Sequence, residues 1–398
     1  MAAHSGNHHA PLRIGIFTDT YAPQVNGVAV SLQLVVQGLR EAGHEVTVFA
    51  PRFPGYKDKE PKVYRIPSLK YINKPPIYVA VPGTPRTTWS LHRSRFDILH
   101  AHSPLTVGLL AYITASTRSL PLIYTYHTSI TDYTHYIRVV GETHVIRRAA
   151  RWFSTATTNL GSQIVVPSPK FERMLLAQKV RRPIHVIPNG IDLSSFQKAK
   201  APGTFRRRLG LGPDAHVLLY VGRLGAEKRV DFLIEAFARV AAQDDRAHFV
   251  LAGDGNSRAK LEAQAAATGF GERIRFLGVV NRSDLTDLLH DADLFLSAST
   301  TETQCLAMVE AIASGLPVVA VWDDAFEGIL ADEENGFATN LEVEAFSAAV
   351  SRLLGDPALR RIFGNNSSSL SLKFSIDSQV SALARLYAES IAVAREAV

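Results

Sequence analysis

Two stretches of the chain carry residue types whose spacing suits work on phosphate and sugar. Val221-Gly222-Arg223-Leu224-Gly225-Ala226-Glu227-Lys228-Arg229 follows an apolar run and places two cations in a Gly-containing loop. Arg223 offers a planar fork and Lys228 a compact charge, a combination that neutralises a departing diphosphate. The second stretch, Thr301-Glu302-Thr303-Gln304-Cys305-Leu306, ends a strand-like run and opens a helix. The amides of Gln304, Cys305 and Leu306 there precede the first intrahelical bonds and favour an anion. Glu302 in the loop and Glu310 two turns along the helix offer carboxylates to sugar hydroxyls. The helix dipole accounts for an acidic residue at 302 but not at 310.

Other chemistries lack their residues. Asp19-Thr20-Tyr21-Ala22-Pro23-Gln24-Val25-Asn26-Gly27-Val28, after the first apolar run, is not a G-x-G-x-x-G dinucleotide loop, and no Walker A, G-x-S-x-G or H-E-x-x-H sequence occurs. Asp291-Ala292-Asp293 reads as a solvated helix-to-strand turn rather than a metal site. Cys305 is the single cysteine, so neither an intrachain disulfide nor a cysteine-based zinc site can form, which fits a reducing, cytoplasmic setting. The 43 Lys and Arg against 37 Asp and Glu attract anions in general. No nucleic-acid module accompanies that excess. Residues 1–11 read as a flexible tail without signal-peptide features, and no apolar run approaches the ~18 residues of a membrane span.

The elements that must hold these residues follow a βαβ rhythm. Leu12 to Phe17, His44 to Ala50, Phe96 to His100, Leu122 to Tyr126, Ile164 to Val166 and Ile184 to Ile187 are strand-like, alternating with helical patterns such as Val30 to Ala42. After a small-residue stretch, Lys198 to Gly203, the rhythm restarts with Val217 to Val221, His248 to Ala252, Ile274 to Leu277, Leu294 to Ser297 and Pro317 to Val321. Asn365 to Ser369 reads as a short polar break, and Gln379 to Ala397 as a closing helix. The expectation is an α/β protein with domains at 12–198 and 204–378, and a helix over 379–398 returning toward the first. Ligands of two such doubly wound domains are expected at strand ends, in a cleft.

Asn26-Gly27-Val28, Pro188-Asn189-Gly190-Ile191-Asp192, Gly222-Arg223-Leu224 with Lys228, Gly253-Asp254-Gly255 and Glu302 to Glu310 occur in order. On these motifs the chain resembles the retaining GT-B glycosyltransferases of family 4, over roughly Leu12 to the C-terminal helix. The resemblance implies two Rossmann-like domains, the acceptor mainly on the first and a nucleotide sugar mainly on the second. It further implies Arg223 and Lys228 as the diphosphate clamp, Glu310 as a ribose ligand and Glu302 as a ligand of donor-sugar hydroxyls. Gly27 would let backbone approach the donor, and His127 would lie beside the reacting sugar, whereas His100 and His102 read as structural. The implied transfer retains configuration by a front-face route, needing neither metal nor cofactor. Cys305 stands where family members usually have glycine, and a thiol at a helix start is expected to be acidified and reactive.

Within the family, Tyr124-Thr125-Tyr126-His127-Thr128-Ser129 with Asp132-Tyr133-Thr134-His135-Tyr136 looks like diacylglycerol glucosyltransferases. This implies glucose transfer from UDP-glucose to a lipid, with Asp19, Tyr133 and Tyr136 on the acceptor side. Arg147, Arg148, Arg151 and Trp152 suit an anionic membrane surface, on the inner face of the cell membrane. Lys57, Lys59, Lys62, Arg65, Lys70 and Lys74 are expected to extend that basic surface. The alternatives are a family 4 transferase acting on a soluble or polyprenyl-linked sugar or on phosphatidylinositol, and a GT-B relic that binds nucleotide sugar without turnover.

Overall fold

The computed structural model describes residues 10–24, 26–73, 76–127 and 144–396. The chain divides into two compact units, one of residues 1–190 with 376–398 and one of residues 191–375.

In the first unit β1 (Arg13–Phe17), α1 (Gly27–Glu41), β2 (Glu45–Pro51) and β3 (Val63–Ile66) lead into a hairpin of β4 (Ser68–Asn73) and β5 (Pro76–Ala80). Then follow α2 (Pro85–Arg93), β6 (Ile98–Ala101), α3 (Thr106–Arg118), β7 (Leu122–Thr125), α4 (His144–Thr158), β8 (Gln163–Val166), α5 (Pro169–Ala177) and β9 (Ile184–Val186). Seven parallel strands form a sheet in the order β3-β2-β1-β6-β7-β8-β9. The inner strands β1, β6, β7 and β8 are buried almost throughout, as a sheet covered on both faces requires, while the edge strands β3 and β9 are partly exposed. The order reverses between β1 and β6, paired from Ile14 opposite Ile98 to Phe17 opposite Ala101. The C-terminal helix, Ile376–Glu396, packs on α1 through Val380, Leu383, Leu386 and Tyr387, in one core with Leu32, Val35, Val36 and Leu39.

The second unit runs α6 (Thr204–Arg208), β10 (His216–Val221), α7 (Val230–Ala241), β11 (Ala247–Ala252), α8 (Arg258–Ala267), β12 (Ile274–Gly278), α9 (Arg282–Asp291), β13 (Leu294–Ser297), α10 (Leu306–Ala313), β14 (Val318–Val321), β15 (Gly336–Thr339), α11 (Val343–Gly355) and α12 (Pro357–Ser371). Its parallel sheet has the order β12-β11-β10-β13-β14-β15, reversing between β10 and β13. Both units are Rossmann-like.

The division falls at Gly190, not at 198–204, for a packing reason. Ile191 and Phe196 are buried in the second core, and Asp287 Oδ1 accepts from the amides of Lys200 and Ala201 at 2.6 and 2.9 Å. The Asp291-Ala292-Asp293 turn is likewise not solvated. Buried Asp291 accepts from the amides of Gly203, Phe205 and Arg206, capping α6, and Asp293 pairs with Arg206 at 2.8 Å. The expected break at Asn365 to Ser369 lies inside α12. Buried Ser367 donates through Oγ to the Leu316 carbonyl, and exposed Asn366 donates through Nδ2 to that of Glu334. The closing helix, α13, begins at Ile376, three residues before the apolar face suggested.

Candidate active site

Most residues with chemical potential follow the strands that flank the reversal of strand order, where doubly wound sheets bind ligands, whereas His127 follows β7 and Arg282 follows β12. In the second unit the cationic loop leaves β10 and the glutamate loop leaves the adjacent β13. Backbone contacts shape the first of these loops. A Cβ on Gly253 would lie 1.8 Å from the Gly222 carbonyl oxygen and one on Gly255 2.4 Å from that of Leu224, so this approach requires both glycines of the Gly253-Asp254-Gly255 motif. The Leu224 amide donates to the Asp254 carbonyl at 3.0 Å, and the Tyr220 hydroxyl to that of Arg223 at 2.9 Å.

Three ion pairs among the described residues belong to the site. Lys228 Nζ lies 2.6 Å from Glu302 Oε1, with side chains 19% and 13% exposed. Arg223 lies 2.6 Å from Glu227. Burial opposes the Lys228 charge, but the charge and hydrogen bond of Glu302 outweigh it and hold the ammonium pKa above its ordinary value. Glu310 is buried in α10 and pairs with Arg282 at 3.1 Å. Burial raises its pKa more than the arginine lowers it. Arg282, at the start of α9, was not among the residues the sequence singled out, because only the tertiary fold brings it to Glu310. Gln304 is buried immediately before the opening of α10.

Cys305 precedes α10 with φ 58° and ψ 71°, a left-handed conformation, while Leu306 begins the helix. Glycine adopts this conformation without a Cβ clash, a physical reason for glycine at this position in the family. The expectation of an acidified thiol is overturned. Burial and the Glu302 charge push the thiol pKa well up, outweighing nearby Lys228 and its hydrogen bond from the Met308 amide.

In the first unit Gly27 is the first residue of α1, with the Asn26 side chain accepting from the Ala29 amide as N-cap. His127, two residues beyond β7, accepts or donates through Nε2 to His102 Nδ1 at 2.8 Å. His100, in β6, is held between the Tyr387 hydroxyl at 2.7 Å and Thr125 at 2.6 Å. The rings of His100 and His102 lie 4.0 Å apart, and those of His102 and His127 5.2 Å. Burial drives all three pKa values down, to about 3 for His100 and about 4 for His127. The cluster is neutral at physiological pH, which leaves His127 an acceptor or a neutral donor rather than a cation.

Asp19 also has a structural task. Its carboxylate accepts from Ser103 Oγ at 2.6 Å and Thr106 Oγ1 at 3.0 Å, at the start of α3, whose N-cap Leu105 makes no side-chain cap bond. On α4, Trp152 is 73% exposed and Arg148 is exposed. Of Arg147 and Arg151 only the backbone, within α4, is described. Tyr133 and Tyr136 lie outside the described residues. Arg65 does not extend a basic surface. It is largely buried against Asp58 at 2.5 Å and donates to the carbonyls of Pro51 and Ala22. Among the described residues no helix is long and apolar enough to cross a membrane.

Paired Rossmann-like units with these strand-end loops define a glycosyltransferase of the GT-B fold. Family models agree: residues 203–369 match "Glycosyl transferases group 1" and residues 25–195 match "Glycosyltransferase Family 4". The chain is 31% identical to the alpha-monoglucosyldiacylglycerol synthase of Acholeplasma laidlawii, over 84% of this chain and 86% of that protein. It is 30% identical to the enzyme of that name from Streptococcus pneumoniae, over 87% of this chain and 79% of that one. Anabaena HepE in complex with UDP shares the fold, with a TM-score of 0.78 and 18% identity over 95% of this chain and all of that one. The chain belongs to the family 4 glycosyltransferases.

Proposed function

We propose that this glycosyltransferase moves glucose from UDP-glucose to diacylglycerol, with retention of anomeric configuration, while resting on an anionic membrane surface. The observation that carries the reading is the buried Lys228 and Glu302 pair at the β10/β13 switch point, in a chain akin to monoglucosyldiacylglycerol synthases. A bound diphosphate competes with the carboxylates for Lys228 and Arg223. Their charge, with the N-terminus of α10, stabilises the departing nucleotide. Glu302, relieved of its cation, accepts from donor-sugar hydroxyls, and Glu310 from the ribose. The acceptor hydroxyl attacks the face from which the nucleotide leaves, forming the new glycosidic bond as the sugar-phosphate bond breaks. Its proton passes to the leaving phosphate, so no protein nucleophile is used. Neutral His127 positions the reacting sugar.

The test is incubation of purified protein with diacylglycerol micelles and radiolabelled UDP-glucose, with and without EDTA, followed by solvent extraction. The expected result is EDTA-insensitive label in the organic phase, absent with Glu302→Ala, and an α-anomeric product by proton coupling constants. Label transferred only from GDP-mannose overturns the donor assignment. Label retained in the aqueous phase on a soluble acceptor overturns the lipid assignment, and nucleotide binding without any product favours a relic.

A further inference from the structure

A cavity of about 250 Å³ opens in the first unit at α3 and α4. Leu105, Leu109, Tyr112, Tyr124, Phe153 and Leu160 line it with carbon. Leu105 and Leu109 are each at least half exposed, so the mouth is greasy as well as the interior. An exposed apolar opening of this kind on a folded surface marks a binding place.

The lining is almost entirely apolar. Ser103 and Thr106 also line it, and their hydroxyls are the ones that donate to Asp19. Ser103 directly follows His102, the hydrogen-bond partner of His127. An occupant of the cavity therefore lies beside the strand-end residues assigned to the acceptor side.

The surroundings say where such an occupant comes from. Exposed Trp152, beside Phe153, borders a second hollow lined by Lys179, Arg181 and Arg182. The two arginines are set by Asn159, whose side chain accepts from the Arg181 amide and whose carbonyl accepts from Arg182 Nε. An exposed tryptophan beside a basic cluster matches an anionic lipid interface, the aromatic ring at headgroup depth and the cations against phosphate.

We propose that the α3/α4 cavity receives the end of one acyl chain of the lipid acceptor, taken from an anionic bilayer. The inference rests on the lipid-acceptor reading and deepens it. At about 30 Å³ for a water-sized group, the cavity holds roughly eight methylene-sized groups, part of a long chain rather than the whole.

The test uses the full-length protein on vesicles of anionic phospholipid that carry diacylglycerol with a diazirine near the end of one chain. After illumination, adducts are mapped by mass spectrometry, and transfer from UDP-glucose is measured on the same preparation. Adducts are expected in peptides 105–112 and 153–160, and to fall at least tenfold in Leu109→Trp, a half-exposed position where an indole fills the mouth without disturbing the core. With monomeric short-chain diacylglycerols in water, two further methylenes on the seated chain lower KM roughly fifteenfold in wild type. In Leu109→Trp that dependence flattens. Adducts scattered elsewhere, or unaltered by Leu109→Trp, overturn the cavity assignment even if diacylglycerol is glucosylated. Adducts in the cavity without any transfer retain the acyl site and overturn the proposed reaction instead.

Discussion

Removing the Lys228 charge separates its work in folding from its work on the leaving group. The ammonium lies 2.6 Å from Glu302, and both side chains are more than four-fifths buried. Lys228→Met keeps most of the aliphatic stem but strands a desolvated carboxylate. Breaking a buried pair from one side costs about 3–5 kcal/mol, and partial exposure places this one near 3. At about 2–4 °C per kcal/mol for a unit of this size, the melting temperature of the C-terminal unit falls by about 6–12 °C. Lys228→Met combined with Glu302→Gln removes both charges and regains most of the loss, so the double-mutant cycle has a coupling of at least about 2 kcal/mol. Turnover does not recover. Loss of one preorganised group facing developing charge lowers kcat about 10²- to 10³-fold, and the double variant is no faster than Lys228→Met. Because Glu302 raises the Lys228 pKa in the folded state, the pair's stabilisation is complete below the unfolded value of about 10.4 and lost as pH rises through the folded one. The melting gap between wild type and Lys228→Met is therefore flat from pH 6 to about 10 and closes above about 10.4. The assay is thermal denaturation of the four proteins of the cycle, beside transfer rates. Additive melting shifts would refute the coupling, and transfer by Lys228→Met within tenfold of wild type would refute the role in charge stabilisation.

Three further outcomes follow from the same geometry. Glu310→Gln weakens UDP binding in calorimetry about ten- to hundredfold, the worth of a hydrogen bond to a charged group. At pH 7 it does not lower the melting temperature, because burial penalises the carboxylate in the folded state and Arg282 is nearly half exposed; a clear destabilisation would count against this account. The neutral cluster of His100, His102 and His127 makes the first unit acid-sensitive. The unfolded chain takes up protons below about pH 6.5 while these folded imidazoles do not, so stability drops by up to about 4 kcal/mol per pH unit near pH 5, the slope easing toward pH 4 as His127 itself protonates. Urea midpoints of that unit that stay level from pH 7 to 4.5 would contradict it. Finally, Cys305→Gly relieves a left-handed φ that costs an L-residue about 1–2 kcal/mol, less whatever packing the thiol supplies. Wild-type Cys305 reacts with iodoacetamide at pH 8 more slowly than free cysteine and reacts quickly once unfolded; fast labelling of the native protein would disprove the burial effect.

Much of this protein was legible along the chain. Apolar runs such as Val217 to Val221, buried up to Tyr220, and Leu294 to Ser297, buried throughout, announce parallel strands because their pattern is local. The motif glycines were legible too, though only coordinates explain why Gly253 and Gly255 admit no Cβ. Residue types with a chemical task, Arg223, Lys228, Glu302 and Glu310, stood out by type and by spacing along two loops and one helix. Partner choice was not legible, since it depends on which strands become neighbours. Pairing of β10 with β13 brings together the loops that carry Lys228 and Glu302, 74 residues apart in sequence, and the fold joins Arg282 to Glu310 and His102 to His127 in the same way. Burial was equally hidden. It turned a thiol expected to be acidic into a protonated one, made a supposedly solvated Asp291 the cap of α6, and drew Arg65 inward while leaving Trp152 outside. Sequence determines residue type and local period directly, whereas solvation and partnership are properties of the whole packed chain, and those two decided which of these groups are charged, paired or available.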